Sequence, residues 1–153
     1  MPSTKKYFID SYGLRALYID KDAHVREIVK GLMNRNIPIH TSDFVIQMFV
    51  QDMLNDGKDP IRIKAELKKV QMAGFFKLVK PLTEEEFTNA KVRFEGLDDY
   101  VIPLLEWTVL ESMVRNGCNV LISSKDRYKA FEQVAAETAP EFLSVEILPK
   151  YGK

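Results

Sequence analysis

The chain has 153 residues, the size of one domain, and its 46% hydrophobic and 29% charged composition is that of an ordinary globular protein. Lysine plus arginine number 22 and aspartate plus glutamate also 22, which excludes a protein that holds nucleic acid by bulk charge alone. The single cysteine, Cys118, excludes an intrachain disulfide and a cysteine-rich zinc module. The opening MPSTKKYFID lacks the apolar core of a signal peptide, and no apolar run approaches a bilayer span. A single cytoplasmic domain over residues 1–153 with no membrane segment is the expectation.

Tyr7-Phe8-Ile9, ahead of Asp10, reads as a short buried strand, and Leu14 to Tyr18 as a short helix. Val25, Ile28, Val29 and Leu32 recur at helical spacing over 22–33, ending near Asn34 and Asn36. The β-branched Ile37-Pro38-Ile39 predicts a second strand. Thr41-Ser42-Asp43 offers N-caps to a helix with Phe44, Val45, Met48, Phe49 and Met53 on its apolar side, ended by Asp56-Gly57. Asp59-Pro60 opens another helix to about Gly74, and Phe76 to Val79 follow as a strand. Thr83 and three glutamates start a helix to about Glu95. Pro103 opens an apolar helix that stops at Asn116-Gly117. Val120 to Ile122 is a strand, 128–138 a helix, and Val145 to Leu148 a last strand. Strands alternating with helices predict an α/β domain with a mostly parallel sheet and right-handed crossovers.

The chain has no GxGxxG, P-loop or nucleophile-elbow sequence. A phosphatase with a D-x-D after its first strand would suit Asp10 but not Tyr12. What remains is a set of carboxylates at element ends: Asp10, Asp126 and Glu106, with Asp52 as a fourth. Ligands of open parallel sheets bind at the carboxyl ends of the strands, where Asp10 and Asp126 emerge. Hard cations such as Mg²⁺ take carboxylate oxygens, so these acids suit a metal site. As N-caps of the helices that follow them, Asp10 and Asp126 are equally well explained. Glu106 lies among Leu104, Leu105, Trp107, Val109 and Leu110, where a carboxylate needs a partner, a cation or the dipole of its helix.

These residues resemble the PIN domains, metal-dependent ribonucleases that include the toxin half of many prokaryotic toxin/antitoxin pairs. Tyr7-Phe8-Ile9-Asp10-Ser11 resembles the family's opening strand, apolar residues followed by Asp and then Thr or Ser. Thr41 to Met48 resembles its strand-to-helix segment, in which a catalytic Glu normally takes the place of Met48. Pro103-Leu104-Leu105-Glu106-Trp107, with Gly117 after the helix, resembles the segment where the family carries an Asp. Leu121 to Tyr128, with Ser124 and Asp126, resembles its last motif. A thioether is too soft to bind Mg²⁺, so Met48 departs from the pattern, with Asp52 one helical turn later as a substitute. Tyr12, where an Asn is common, departs as well.

The resemblance implies a three-layer α/β/α domain that hydrolyses RNA, with Mg²⁺ or Mn²⁺ held by Asp10, Glu106 and Asp126. Ser11, Ser124 and Asp52 would orient ligands or water from behind, and Arg127 and Lys129 would meet RNA phosphates. An antitoxin-type protein partner and a homodimer are implied too. The alternative is a catalytically depleted PIN-like domain serving as an RNA-binding or protein-interaction module. Residues 60–80 carry Arg62, Lys64, Lys68, Lys69, Lys77 and Lys80 against Glu66 alone, which fits an RNA track or a solvated helix face. Phe44, Phe49, Phe75 and Phe76 with the six methionines suit a core and, less directly, a partner groove. His24 and His40 lack neighbours at metal-ligand spacing, and Trp107 and Cys118 read as core residues.

Overall fold

The computed structural model describes residues 5–72, 74, 76–95, 104–124 and 146–148, with side chains 70–72, 93–94 and 104–106 excepted. Five strands, β1 (Tyr7–Ile9), β2 (Ile39–Thr41), β3 (Phe76–Leu78), β4 (Val120–Ile122) and β5 (Glu146–Leu148), form one sheet in the order β3-β2-β1-β4-β5. Every pairing is parallel, with Tyr7 opposite Ile39 and Val120, Ile39 opposite Phe76, and Val120 opposite Glu146. Strands β1 and β4 are buried at every position, as continuous apolar runs in the middle of a parallel sheet must be. Their outer neighbours are more exposed.

The described residues contain six helices: α1 (Ser11–Tyr18), α2 (Ala23–Asn34), α3 (Asp43–Asn55), α4 (Pro60–Met72), α5 (Glu84–Glu95) and α6 (Leu104–Arg115). Chain order carries β1 to β2 to β3 in one direction across the sheet, then back past β1 to β4 and β5. Right-handed crossovers in opposite directions put their helices on opposite faces. The packing follows: α1 contacts α2 and α3, and α3 contacts α4, while α5 packs on α6. This is the three-layer α/β/α arrangement expected from the sequence, with a sheet wholly parallel among the described strands.

Local chemistry explains the boundaries. Helix α1 starts at Ser11 rather than Leu14, because the Asp10 carboxylate accepts a hydrogen bond from the Gly13 amide at 2.8 Å. Strand β2 lies two residues later than expected: Pro38 has no N–H to donate to the ladder, so pairing begins at Ile39. Asn36, at φ 57°, ends α2 in the left-handed region. Ser42 caps α3 through the Val45 amide at 3.1 Å, and Asp59 caps α4 through the Ile61 amide at 2.8 Å. Thr83 and Glu86 form a reciprocal capping box at α5, with bonds of 2.9 and 3.1 Å. The expected helix at 128–138, Val145, Phe75 and Pro103 lie outside the described residues.

Phe8, Ile9, Leu14, Leu32, Phe49, Met53 and Trp107 are fully buried. Phe49 therefore belongs to the core, and burying such a side chain contributes roughly 1.5–3 kcal/mol. Phe44 and Phe76 are half-buried against that core. Trp107 donates its indole N–H to the Ala90 carbonyl at 3.1 Å and so ties α6 to α5. Cys118 is buried beneath the sheet's entry edge, and burial pushes its thiol up to about 11, so it is an inert core residue. No helix among the described residues is long and apolar enough to cross a membrane.

Candidate active site

Strand order reverses between β1 and β4, since the chain leaves β1 to one side and reaches β4 on the other. Two diverging helix connections open a crevice at the carboxyl ends of such strands. Asp10 stands there, directly after β1 and only 1% exposed. Its amide donates to the Ile122 carbonyl at 3.2 Å, which locks the end of β1 to the end of β4. Its carboxylate caps α1 through Gly13, so the capping reading holds for one oxygen. That bond and the positive end of α1 support a negative charge that burial opposes. A cap and a cation ligand are compatible roles for one carboxylate, because its two oxygens offer about four lone-pair positions.

The surroundings are small and polar. Ser11, Thr41, Ser42 and Ser123 are all buried at the same edge. The Thr41 hydroxyl donates to the Ile9 carbonyl at 3.1 Å, and the Ser124 hydroxyl donates to the Tyr12 carbonyl at 3.1 Å. Ser124 thus fastens the chain leaving β4 to the first turn of α1. Sequence reasoning singled out Ser11, Ser124 and the capping role of Ser42 but missed the tether made by Thr41. Its signal was its position at the end of a short strand, where a hydroxyl satisfies a loose backbone group. Gly13 was missed as well. A methyl group there would meet the Ile122 carbonyl oxygen at 2.5 Å and Ile9 Cγ1 at 2.6 Å, so only glycine lets α1 start this close to β4.

Glu106 is the third residue of α6, and its side chain lies outside the described residues. Helix α6 turns at 116–119 into β4, so its first turn points back toward the carboxyl edge. Asp126, Arg127 and Lys129 follow β4 and lie outside the described residues too. The described residues contain no group of three His, Cys, Asp or Glu side chains able to hold an ion. Asp10 is the member of the expected trio whose environment is visible.

Helix α3 begins at the carboxyl edge and runs away from it. Met48 is half-buried and packs against the core. Asp52 stands four residues farther along, about 6 Å more distant from the edge at 1.5 Å per residue. The helix therefore carries Asp52 away from Asp10. Elsewhere, His24 is exposed on α2. The Arg15 guanidinium joins α1 to the end of α3 through Asp56 and also lies 3.8 Å from Asp20.

No family model matches the sequence, and no curated protein is detectably similar to it. Solved structures do share its fold. VapC20 of Mycobacterium tuberculosis, a sarcin-ricin loop cleaving toxin, superposes with a TM-score of 0.66 at 14% identity, covering 82% of this chain and 95% of that one. VapBC2 of Rickettsia felis, solved bound to a DNA fragment from its promoter, gives 0.66 at 9% identity over 92% of this chain and 96% of that one. The five parallel strands and their order around the switch point are accordingly those of a PIN-domain fold.

Proposed function

We propose that the protein is a divalent-metal-dependent ribonuclease of PIN type, acting as the toxin of a toxin/antitoxin pair. The observation that carries this reading is Asp10, a buried carboxylate at the switch point of a fold shared with a sarcin-ricin loop cleaving toxin. Asp10, Glu106 and Asp126 would hold Mg²⁺ or Mn²⁺, and an all-carboxylate donor set fits those hard ions. A bound ion supplies acidified water and neutralises charge building on the phosphate. Water attacks phosphorus, a P–O bond of the RNA backbone breaks, and the departing oxygen takes up a proton. Ser124 keeps the start of α1 and the end of β4 in register, Ser11 would orient a carboxylate or water, and Arg127 and Lys129 would pair with neighbouring phosphates. An antitoxin-type partner and a homodimer suit the exposed Leu54 and Ile61, 49% and 77% accessible where α3 turns into α4.

A second reading, a depleted PIN-like domain that binds RNA or protein without cleaving, is favoured by Met48, whose side chain is given over to core packing. Cleavage of structured and unstructured RNA with Mg²⁺, Mn²⁺ or EDTA separates the two. The nuclease reading expects metal-dependent cleavage that falls by a factor on the order of 10² or more in Asp10→Asn, the loss expected when a metal ligand is removed. Equal inactivity of wild type and variant across protein concentrations, with no metal bound in titration, favours the depleted domain.

A further inference from the structure

The two neighbours of β1 part from it at different points. With β4 the register runs on through Ile9 and Ile122, and the Asp10 amide adds a further bond to the Ile122 carbonyl at 3.2 Å. With β2 the register ends at Phe8 and His40. Two residues later Ser42 is already the N-cap of α3, so β2 leaves the sheet just where β1 delivers Asp10. Thr41, between them, keeps its main chain in the ladder with β3, opposite Leu78, and its carbonyl accepts from the Val79 amide at 2.9 Å. Its side chain serves β1 instead: the hydroxyl donates to the Ile9 carbonyl at 3.1 Å, and Thr41 is only 1% exposed. A buried carbonyl needs a donor, and a side chain supplies it where the register of β1 with β2 has ended.

The carbonyl that Thr41 holds belongs to the same peptide unit as the Asp10 amide. A trans peptide points its C=O and N–H in opposite directions, so this unit is held from both sides, by Thr41 of β2 and by Ile122 of β4. Beyond it, the Asp10 carboxylate accepts from the Gly13 amide at 2.8 Å. Without the Thr41 hydroxyl the unit could tip about its bond to Ile122. The plane is rigid, so a tip is passed on through Cα to the carboxylate. A metal-binding group must be held to within about 0.5 Å of its working position, which makes a small tip costly.

We propose that Thr41 is a positioning residue for Asp10: its hydroxyl lets β2 part from β1 at the carboxyl edge while the Asp10 carboxylate stays aimed to receive a divalent ion. This rests on the metal-dependent ribonuclease reading, in which Asp10 is a ligand. The neighbouring hydroxyls act elsewhere, Ser42 on the Val45 amide and Ser124 on the Tyr12 carbonyl, whereas Thr41 reaches the peptide unit that carries Asp10.

Calorimetric titration of the full chain with Mn²⁺ reads this role without RNA or turnover. Thr41→Val removes the hydroxyl at nearly constant shape and should weaken Mn²⁺ binding about tenfold, as losing a group behind a metal ligand does. Thr41→Ala, which adds no atom, should show a similar loss, so a packing defect peculiar to valine is told apart. Thr41→Ser keeps the hydroxyl and should stay within about threefold of wild type. Thr83→Ala removes a cap from α5 and lowers the melting temperature, yet should leave Mn²⁺ affinity within about twofold, which separates positioning from mere destabilisation. All variants are titrated well below their melting temperatures. Wild-type affinity in Thr41→Val and Thr41→Ala overturns the positioning role and leaves the ribonuclease reading standing, as does an equal loss in Thr41→Ser or Thr83→Ala. A wild-type protein that binds no Mn²⁺ overturns both.

Discussion

At the scale of single residues, the candidate site depends on a missing side chain as much as on a present one. Gly13 donates the amide that Asp10 accepts, and it sits where any Cβ would strike the Ile122 carbonyl oxygen at 2.5 Å. Backbone cannot rotate away as a flexible side chain can, so the first turn of α1 would have to lift. Gly13→Ala should therefore lose about 1–3 kcal/mol, the usual cost of overpacking, despite alanine's better helix propensity. Denaturant unfolding of the variant checks this, and an unchanged or raised stability would show that α1 can shift freely. Asp10 was legible in the sequence, because an acid after an apolar strand is either a cap or a ligand. Gly13 was not: the atom that excludes its methyl group belongs to β4, near the other end of the chain, and no local pattern announces it.

At the scale of elements, boundaries set by near neighbours were readable and those set by distant partners were not. The Asp59-Pro60 start of α4 and the Asn116-Gly117 end of α6 came from caps and turns within a few residues. Strand β2 shifted because its extent depends on what β1 and β3 offer to pair with, and Pro38 cannot join that ladder. The joint between α5 and α6 is of the distant kind as well. Trp107 is fully buried and its indole N–H reaches the Ala90 carbonyl, while Arg115 lies 3.4 Å from Glu86 at the other end of the pair. The exposed ion pair contributes little, and the buried tryptophan sets the packing. Trp107→Phe should cost about 2–4 kcal/mol, from the lost ring volume and the carbonyl left without its donor. Thermal unfolding reads the loss, and Arg115→Gln measured alongside should change stability by less than about 1 kcal/mol. Because Glu106 sits one residue before Trp107, a loosened α6 should lower any metal-dependent activity as well.

At the scale of the whole molecule, the topology does the work that motifs usually do. The order β3-β2-β1-β4-β5 follows from crossovers of one hand taken in two directions, and it fixes the crevice at β1 and β4 before any side chain is considered. The sequence shows which acids the chain has; only the sheet order shows that Asp10 and the chain leaving β4 emerge side by side. Carboxylates gathered at one edge repel one another, and an ion that binds only the folded chain relieves that repulsion while adding stability of RT ln(1 + [M]/Kd). If Asp10, Glu106 and Asp126 hold Mn²⁺ or Mg²⁺, saturating the ion at about 100 times its Kd should stabilise the fold by about 2.7 kcal/mol. Asp10→Asn should abolish most of that increment while keeping its own metal-free stability close to wild type, since asparagine caps a helix as well as aspartate does. Calorimetric scans with the divalent ion, against sodium chloride at matched ionic strength, separate specific binding from screening. A melting temperature that ignores both ions in the wild type would leave Asp10 in its capping role and overturn the metal-dependent reading.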